Sequence, residues 1–155
     1  MVITMNYGKR LKELREYCNM SQYDVAKLLK IKRSSYNQFE QQYDIIPIKR
    51  LNEAANIFDC SIDYILGLTD LKRYNESTND INKEISTKRL KQFRKEHALT
   101  QQKLAKELET TQSVIAGFEN GRNFIATPFL FQICNKYKIS ADYLLGKINE
   151  PQELS

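Results

Sequence analysis

The sequence predicts an all-α protein built from two tandem copies of one unit of about five helices. Three observations lead there. With 5 Gly and 3 Pro in 155 residues, there is too little punctuation for a turn-rich β-sandwich. Apolar residues recur at helical spacing in short runs. The chain also repeats itself: a shift of 79 places aligns residues 9–67 with 88–146 without a gap, and 20 of those 59 pairs are identical. Two copies suit a duplicated small domain rather than a solenoid, which needs more repeats.

In the first copy, Leu11 and Leu14 among Lys, Arg and Glu give helical spacing over 8–18. Ser21 is placed as an N-cap, with Asp24 in capping-box position. Val25, Ala26, Leu28 and Leu29 then supply the apolar face of a second helix, and Lys30-Ile31-Lys32 breaks the pattern. A third helix is expected over 33–40, with Tyr36 and Phe39 facing inward. Leu51, Ala54, Ala55 and Phe58 mark a fourth. Ser61 caps a fifth, over 62–66, which Gly67 ends. In the second copy Thr100 caps helix two, Asn120-Gly121 is a turn signal past helix three, and Thr127-Pro128 opens helix four with Pro in the favoured first position. Ser140 and Gly146 bracket helix five. The domains are drawn at 1–70 and 85–155. The stretch between them is polar and reads as a linker (71–84), whose reach with its flanks, ~18 residues, is about 60 Å when extended.

Composition narrows the function. Hydrophobic residues are 41% and charged residues 28%, a globular balance. No apolar run approaches the ~20 residues of a membrane span, and the N-terminus lacks the pattern of a secretory signal. Three widely spaced Cys, an odd number, fit a reduced cytoplasmic protein. The single His97 is expected at a helix end, Cys134 in the core, and Asp63 and Asp142 as structural carboxylates at helix starts. No metal-ligand spacing, P-loop, Gly-rich dinucleotide motif or Ser/His/Asp set is present, so neither cofactor nor catalysis is expected. Net charge is +5, and residues 88–155 hold most of the excess with 11 basic against 7 acidic. That balance is compatible with a polyanion partner.

The motif carries more weight. Helices two and three, joined by a three- to four-residue turn, form a helix-turn-helix. Helix two must cross helix three closely, and the small Ala26 and Ala105 stand at that crossing. Tyr36 and Phe39, or Ile115 and Phe118, face inward. The outer positions are Arg33, Ser34, Asn37 and Gln38 in copy one, and Gln112, Ser113, Ala116 and Gly117 in copy two. At these residues the chain resembles the lambda-repressor-like (XRE) helix-turn-helix family: residues 99–122 (LTQQKLAKELETTQSVIAGFENGR) most clearly, and residues 20–40 (MSQYDVAKLLKIKRSSYNQFE) as a second match.

The resemblance implies a sequence-specific DNA-binding regulator, a repressor of bacterial or mobile-element origin, with double-stranded DNA as partner and a homodimer compatible. It implies that Gln22 and Gln101 clamp phosphate at a helix start, and that Lys32, Arg33 and Ser34, or Thr111, Gln112 and Ser113, approach base edges. Asn120-Gly121-Arg122 would offer N–H groups and a cation to phosphate. Copy one has Gln41-Gln42-Tyr43 where the family has Asn-Gly-basic, and copy two has Gly117 where a long polar side chain is usual. A rival reading therefore keeps one or both copies as a protein-interaction module: an antitoxin, an anti-repressor or a dimerisation unit. Lys9, Arg10, Lys12 and Arg15, repeated as Lys88, Arg89, Lys91 and Arg94, are expected as a solvated face that also reaches phosphate.

Overall fold

The computed structural model describes residues 4–154. Among them are ten helices: α1 (Tyr7–Tyr17), α2 (Gln22–Leu29), α3 (Arg33–Gln41), α4 (Ile48–Ile57), α5 (Ile62–Ile65), α6 (Lys83–Glu96), α7 (Gln101–Glu107), α8 (Gln112–Glu119), α9 (Thr127–Tyr137) and α10 (Ala141–Leu144). No strand is found among the described residues, only a single bridge between Ile139 and Glu153.

The helix boundaries follow the capping chemistry. Ser21 and Asp24 close a full capping box on α2. Thr100, Ser61 and Ser140 each accept a backbone N–H three residues on, satisfying donors that a helix start leaves orphaned. Lys30 ends α2 in the left-handed region at φ 58°, which explains the break at 30–32. One expected cap differs. Ala126, not Thr127, caps α9, and Pro128 is its second residue. The Thr127 hydroxyl instead donates to the Ile46 carbonyl of the first copy.

Within each copy, Ala26 and Ala105 are buried where α2 crosses α3 and α7 crosses α8. Leu11, Leu14, Val25, Leu29, Tyr36, Leu51 and Ala54 of the first copy and Leu90, Phe93, Leu104, Ile115, Leu130 and Cys134 of the second belong to one continuous buried core. Gly8 permits a close approach. A Cβ there would lie 2.0 Å from the Glu40 carbonyl oxygen at the end of α3. Gly8→Ala should therefore push α1 from α3 and cost about 1–3 kcal/mol. Gly117, with nothing within 4 Å of a Cβ, should accept Ala and gain up to about 1 kcal/mol of helix propensity. Urea midpoints of the two variants should move in opposite directions.

The two copies join through equivalent positions. Asp63 and Asp142, 79 residues apart, each reach the first turn of the other copy's short helix. Asp142 accepts the N–H groups of Ile62 at 3.1 Å and Asp63 at 2.7 Å. Asp63 accepts the Ala141 N–H at 2.6 Å and the Ser140 hydroxyl. Contacts between like positions, exchanged in both directions, are the mark of a two-fold interface, here formed within one chain. Both carboxylates are buried. Burial, then the facing Asp63, raises Asp142 well above the ordinary carboxyl range.

The stretch expected as a spacer of long reach is instead a docked strap. The Tyr74 hydroxyl donates to Asp63 at 2.7 Å. Both Asn52 and Asn56 amides donate to the Asn79 carbonyl. The N–H groups of Thr78 and Asn82 donate to the Lys147 and Leu145 carbonyls of the second copy. These bonds come from a hydroxyl, side-chain amides and backbone N–H groups, which carry no hydrophobic periodicity.

Candidate nucleic-acid interface

The third helix of each copy, α3 or α8, is held from beneath by a buried ion pair. In copy one the Arg15 guanidinium grips Glu40 with two bonds, of 2.6 and 3.2 Å, and also donates to the Met20 carbonyl at 3.0 Å. In copy two Arg94 grips Glu119 at 2.6 and 2.8 Å and donates to the Leu99 carbonyl. Bidentate geometry fixes the last turn of α3 and α8 against α1 and α6. Burial pushes both carboxyls up, but the bonds from Arg and from Gln22 or Gln101 outweigh it and leave Glu40 and Glu119 below their usual range.

The expected basic face on the first helices is thus half consumed. Arg15 and Arg94 are internal. Arg10 and Arg89 lie over the rings of Tyr64 and Tyr143, at 3.9 and 4.0 Å, and donate to those residues' carbonyls. Lys9, Lys12, Lys88 and Lys91 remain exposed. The Phe-Glu dipeptides were visible in the repeat, but nothing in the spacing marked Arg15 and Arg94 as their partners.

The expected readers cluster as the repeat requires. Lys32 and Thr111 cap α3 and α8 without a side-chain cap bond. Lys32, Arg33, Ser34, Thr111, Gln112 and Ser113 are exposed, and Asn37, Gln38 and Gly117 are half-buried. Gln22 and Gln101 start α2 and α7 beside them. The Gln22 amide donates both to Asn37 at 3.0 Å and to Glu40 at 2.9 Å, so its N–H groups are already engaged. Gln101 donates to Glu119 and accepts from Gln112, each at 3.3 Å, and Gln102 donates to Gln112.

The loops after α3 and α8 have one shape and two chemistries. Gln42 takes the left-handed region at φ 57°, and Gly121 does so at 75°. The Tyr43 N–H returns to the Gln38 carbonyl and the Arg122 N–H to that of Gly117, both at 3.0 Å. Copy one keeps the turn without glycine because Gln42 ties its side chain to the Gly8 N–H and the Met5 carbonyl. Asn120, which precedes Gly121 in this turn, stays at −90°. Tyr43 is 75% exposed where copy two presents the cation Arg122, and Tyr23 is 62% exposed where copy two has Gln102.

His97 and the cysteines take structural positions. His97 caps α6 and packs against Phe93 and Tyr137 at 4.6 and 4.7 Å. Cys134 is buried and Cys18 exposed, and all three cysteines are free. No cluster of metal-ligating side chains occurs among the described residues, and no helix there is long and apolar enough to cross a membrane.

Two five-helix units, each placing an exposed polar helix across a buried small-residue crossing, define a tandem pair of helix-turn-helix domains. Comparison agrees at both halves: residues 11–65 match a helix-turn-helix family and residues 87–150 a helix-turn-helix domain family. The chain is 30% identical over 122 residues to the HTH-type transcriptional regulator ImmR of Bacillus subtilis (strain 168), covering 78% of this chain and 94% of that protein. It is 33% identical over 87 residues to the uncharacterized HTH-type transcriptional regulator YobD of the same organism, covering 56% and 70%. No solved structure matches. The chain belongs to the XRE, or lambda-repressor-like, helix-turn-helix family of transcriptional regulators, a DNA-binding and non-enzymatic class.

Proposed function

We propose that the protein is a sequence-specific DNA-binding repressor that acts by occupying its operator, with α3 and α8 as readers. The observation that carries this is the pair of exposed polar helix starts, each rigidly seated by a buried Arg–Glu pair and flanked by exposed lysines. Phosphate contacts from Arg122, Asn120 and the helix starts of α2 and α7 set register. Arg33 and Gln112 approach base edges, where Arg matches guanine O6/N7 and Gln matches adenine N6/N7. If about 6–10 phosphates are neutralised, affinity should fall roughly 10³–10⁵-fold between 50 and 200 mM salt. Fluorescence anisotropy on duplex DNA measures this, and a flat response would count against DNA as the partner. Arg122→Ala should weaken all sequences alike, since a phosphate contact carries no sequence information.

A second reading is favoured by one observation: Tyr23 and Tyr43 expose aromatic surface where copy two is polar or basic. On it, copy one binds a protein. Arg33→Ala would then leave DNA affinity and preference untouched.

A further inference from the structure

We propose that this single chain reads an asymmetric operator, made of two unlike half-sites held at one fixed spacing. This rests on the DNA-binding reading and specifies its target.

Fixed spacing follows from how the copies are joined. The Asp63–Asp142 exchange ties α5 to α10. Thr127 donates to Ile46, so the loop that follows α3 meets the start of α9. A groove of about 420 Å³ lined by Ile45, Pro47, Lys49, Phe124 and Ala126 runs between the loops that follow the two reading helices. Those loops therefore meet at the pseudo-two-fold axis, and α3 and α8 flank it as a related pair. The strap adds bonds to both copies. Nothing in this arrangement resembles two beads on a free tether.

Unlike half-sites follow from the residues. At matched outer positions copy one has Lys32, Arg33, Asn37 and Gln38, where copy two has Thr111, Gln112, Ala116 and Gly117. Exposed Arg33 suits a guanine. Gln112 suits an adenine, and the Ala116 methyl next to the open surface at Gly117 suits a thymine methyl. Copy one is thus fitted to a G·C-containing half and copy two to an A·T-rich half. A symmetric dimer of identical chains has no such choice, because its two-fold axis imposes a palindrome.

The test is selection of duplexes from a random pool by the full chain, followed by binding of the winner. The expected winner has two unlike halves at one separation. Arg33→Ala should erase the preference in one half and Gln112→Ala in the other. Both side chains are exposed, so neither variant is expected to disturb folding. Inserting five base pairs between the halves turns one to the opposite face of the duplex. Affinity should then fall by roughly 10²–10⁴-fold, the gain that linked binding supplies. A palindromic winner would overturn the proposal and leave the DNA-binding reading standing, because two chains would be binding through the same copy. Tolerance of the insertion would overturn the fixed spacing, and with it the proposal. Failure to enrich any sequence would overturn both readings.

Discussion

Glu119→Ala should destabilise the second copy by about 3–5 kcal/mol, the usual cost of stranding a buried charge by deleting its partner. The Arg94 side chain is 11% exposed and that of Glu119 is 4% exposed, so water cannot replace the lost carboxylate. Two guanidinium bonds and the Gln101 amide bond disappear together. The loss falls at the last turn of α8, so α8 should loosen even where the fold survives. Urea unfolding measures the first effect, and hydrogen exchange at the α8 amides measures the second. Arg94→Met with Glu119→Leu, an apolar pair of similar volume, should recover most of the stability, which would separate the cost of a stranded charge from the worth of the pair. A midpoint for Glu119→Ala within error of the parent would refute this account.

The same carboxyls set an acid response. Glu40 and Glu119 sit below their ordinary value in the folded protein. Their contribution is complete above the unfolded value, near ~4.3, and is lost as pH falls through the folded values. Urea midpoints should therefore drop on acidification below about pH 4, and the drop should shrink in the apolar-pair variant.

What could be read from the residues was what repeats locally. Ser21 with Asp24, Thr100, Ser61 and Ser140 announce helix starts because a cap is a contact over three residues. Ala26 and Ala105 announce the crossing because only a small side chain fits there, and the 79-residue shift doubled every such signal. Contacts over long separations were not legible. Asp63 and Asp142 were read as helix-start carboxylates, and each does satisfy a helix start, but that of the other copy 79 residues away. Arg15 and Arg94 looked like members of a solvated basic run, because a sequence does not reveal which Lys or Arg turns inward to Glu40 or Glu119. The strap looked like a spacer because its bonds run from Asn52 and Asn56 amides and from backbone N–H groups. The Gln42 turn looked broken because the glycine it lacks is replaced by a side-chain tie to Gly8. Lys32, Arg33, Thr111 and Gln112 are assigned to base edges by the family resemblance alone, and the structure adds only that they are exposed. The tethering of Gln22 to Asn37 and Glu40 depends on side-chain geometry that no spacing encodes.

Asp142→Ala should weaken the join between the copies by about 2–5 kcal/mol, because it leaves two buried donors, the Ile62 and Asp63 N–H groups, without an acceptor. Asp63→Ala should cost a similar amount, since the Ala141 N–H, the Ser140 hydroxyl and the Tyr74 hydroxyl all converge on it. The pair forms one network, so the double variant should cost less than the two singles added, with a coupling of about 0.5–3 kcal/mol. The ionised form of Asp142 is disfavoured, first by burial and then by Asp63. Its contribution is therefore present at low pH and lost as pH rises through its raised folded value, opposite in sign to that of Glu40 and Glu119. A rise in pH through that folded value should weaken the join, and Asp142→Ala should remove that part of the pH dependence. The buried residues of the two copies belong to one cluster, so loss of the two aspartates should lower the temperature of the unfolding transition. Calorimetry of the double variant reads this directly. A single transition at the parent temperature would mean that the strap and the apolar contacts hold the copies together without the two aspartates.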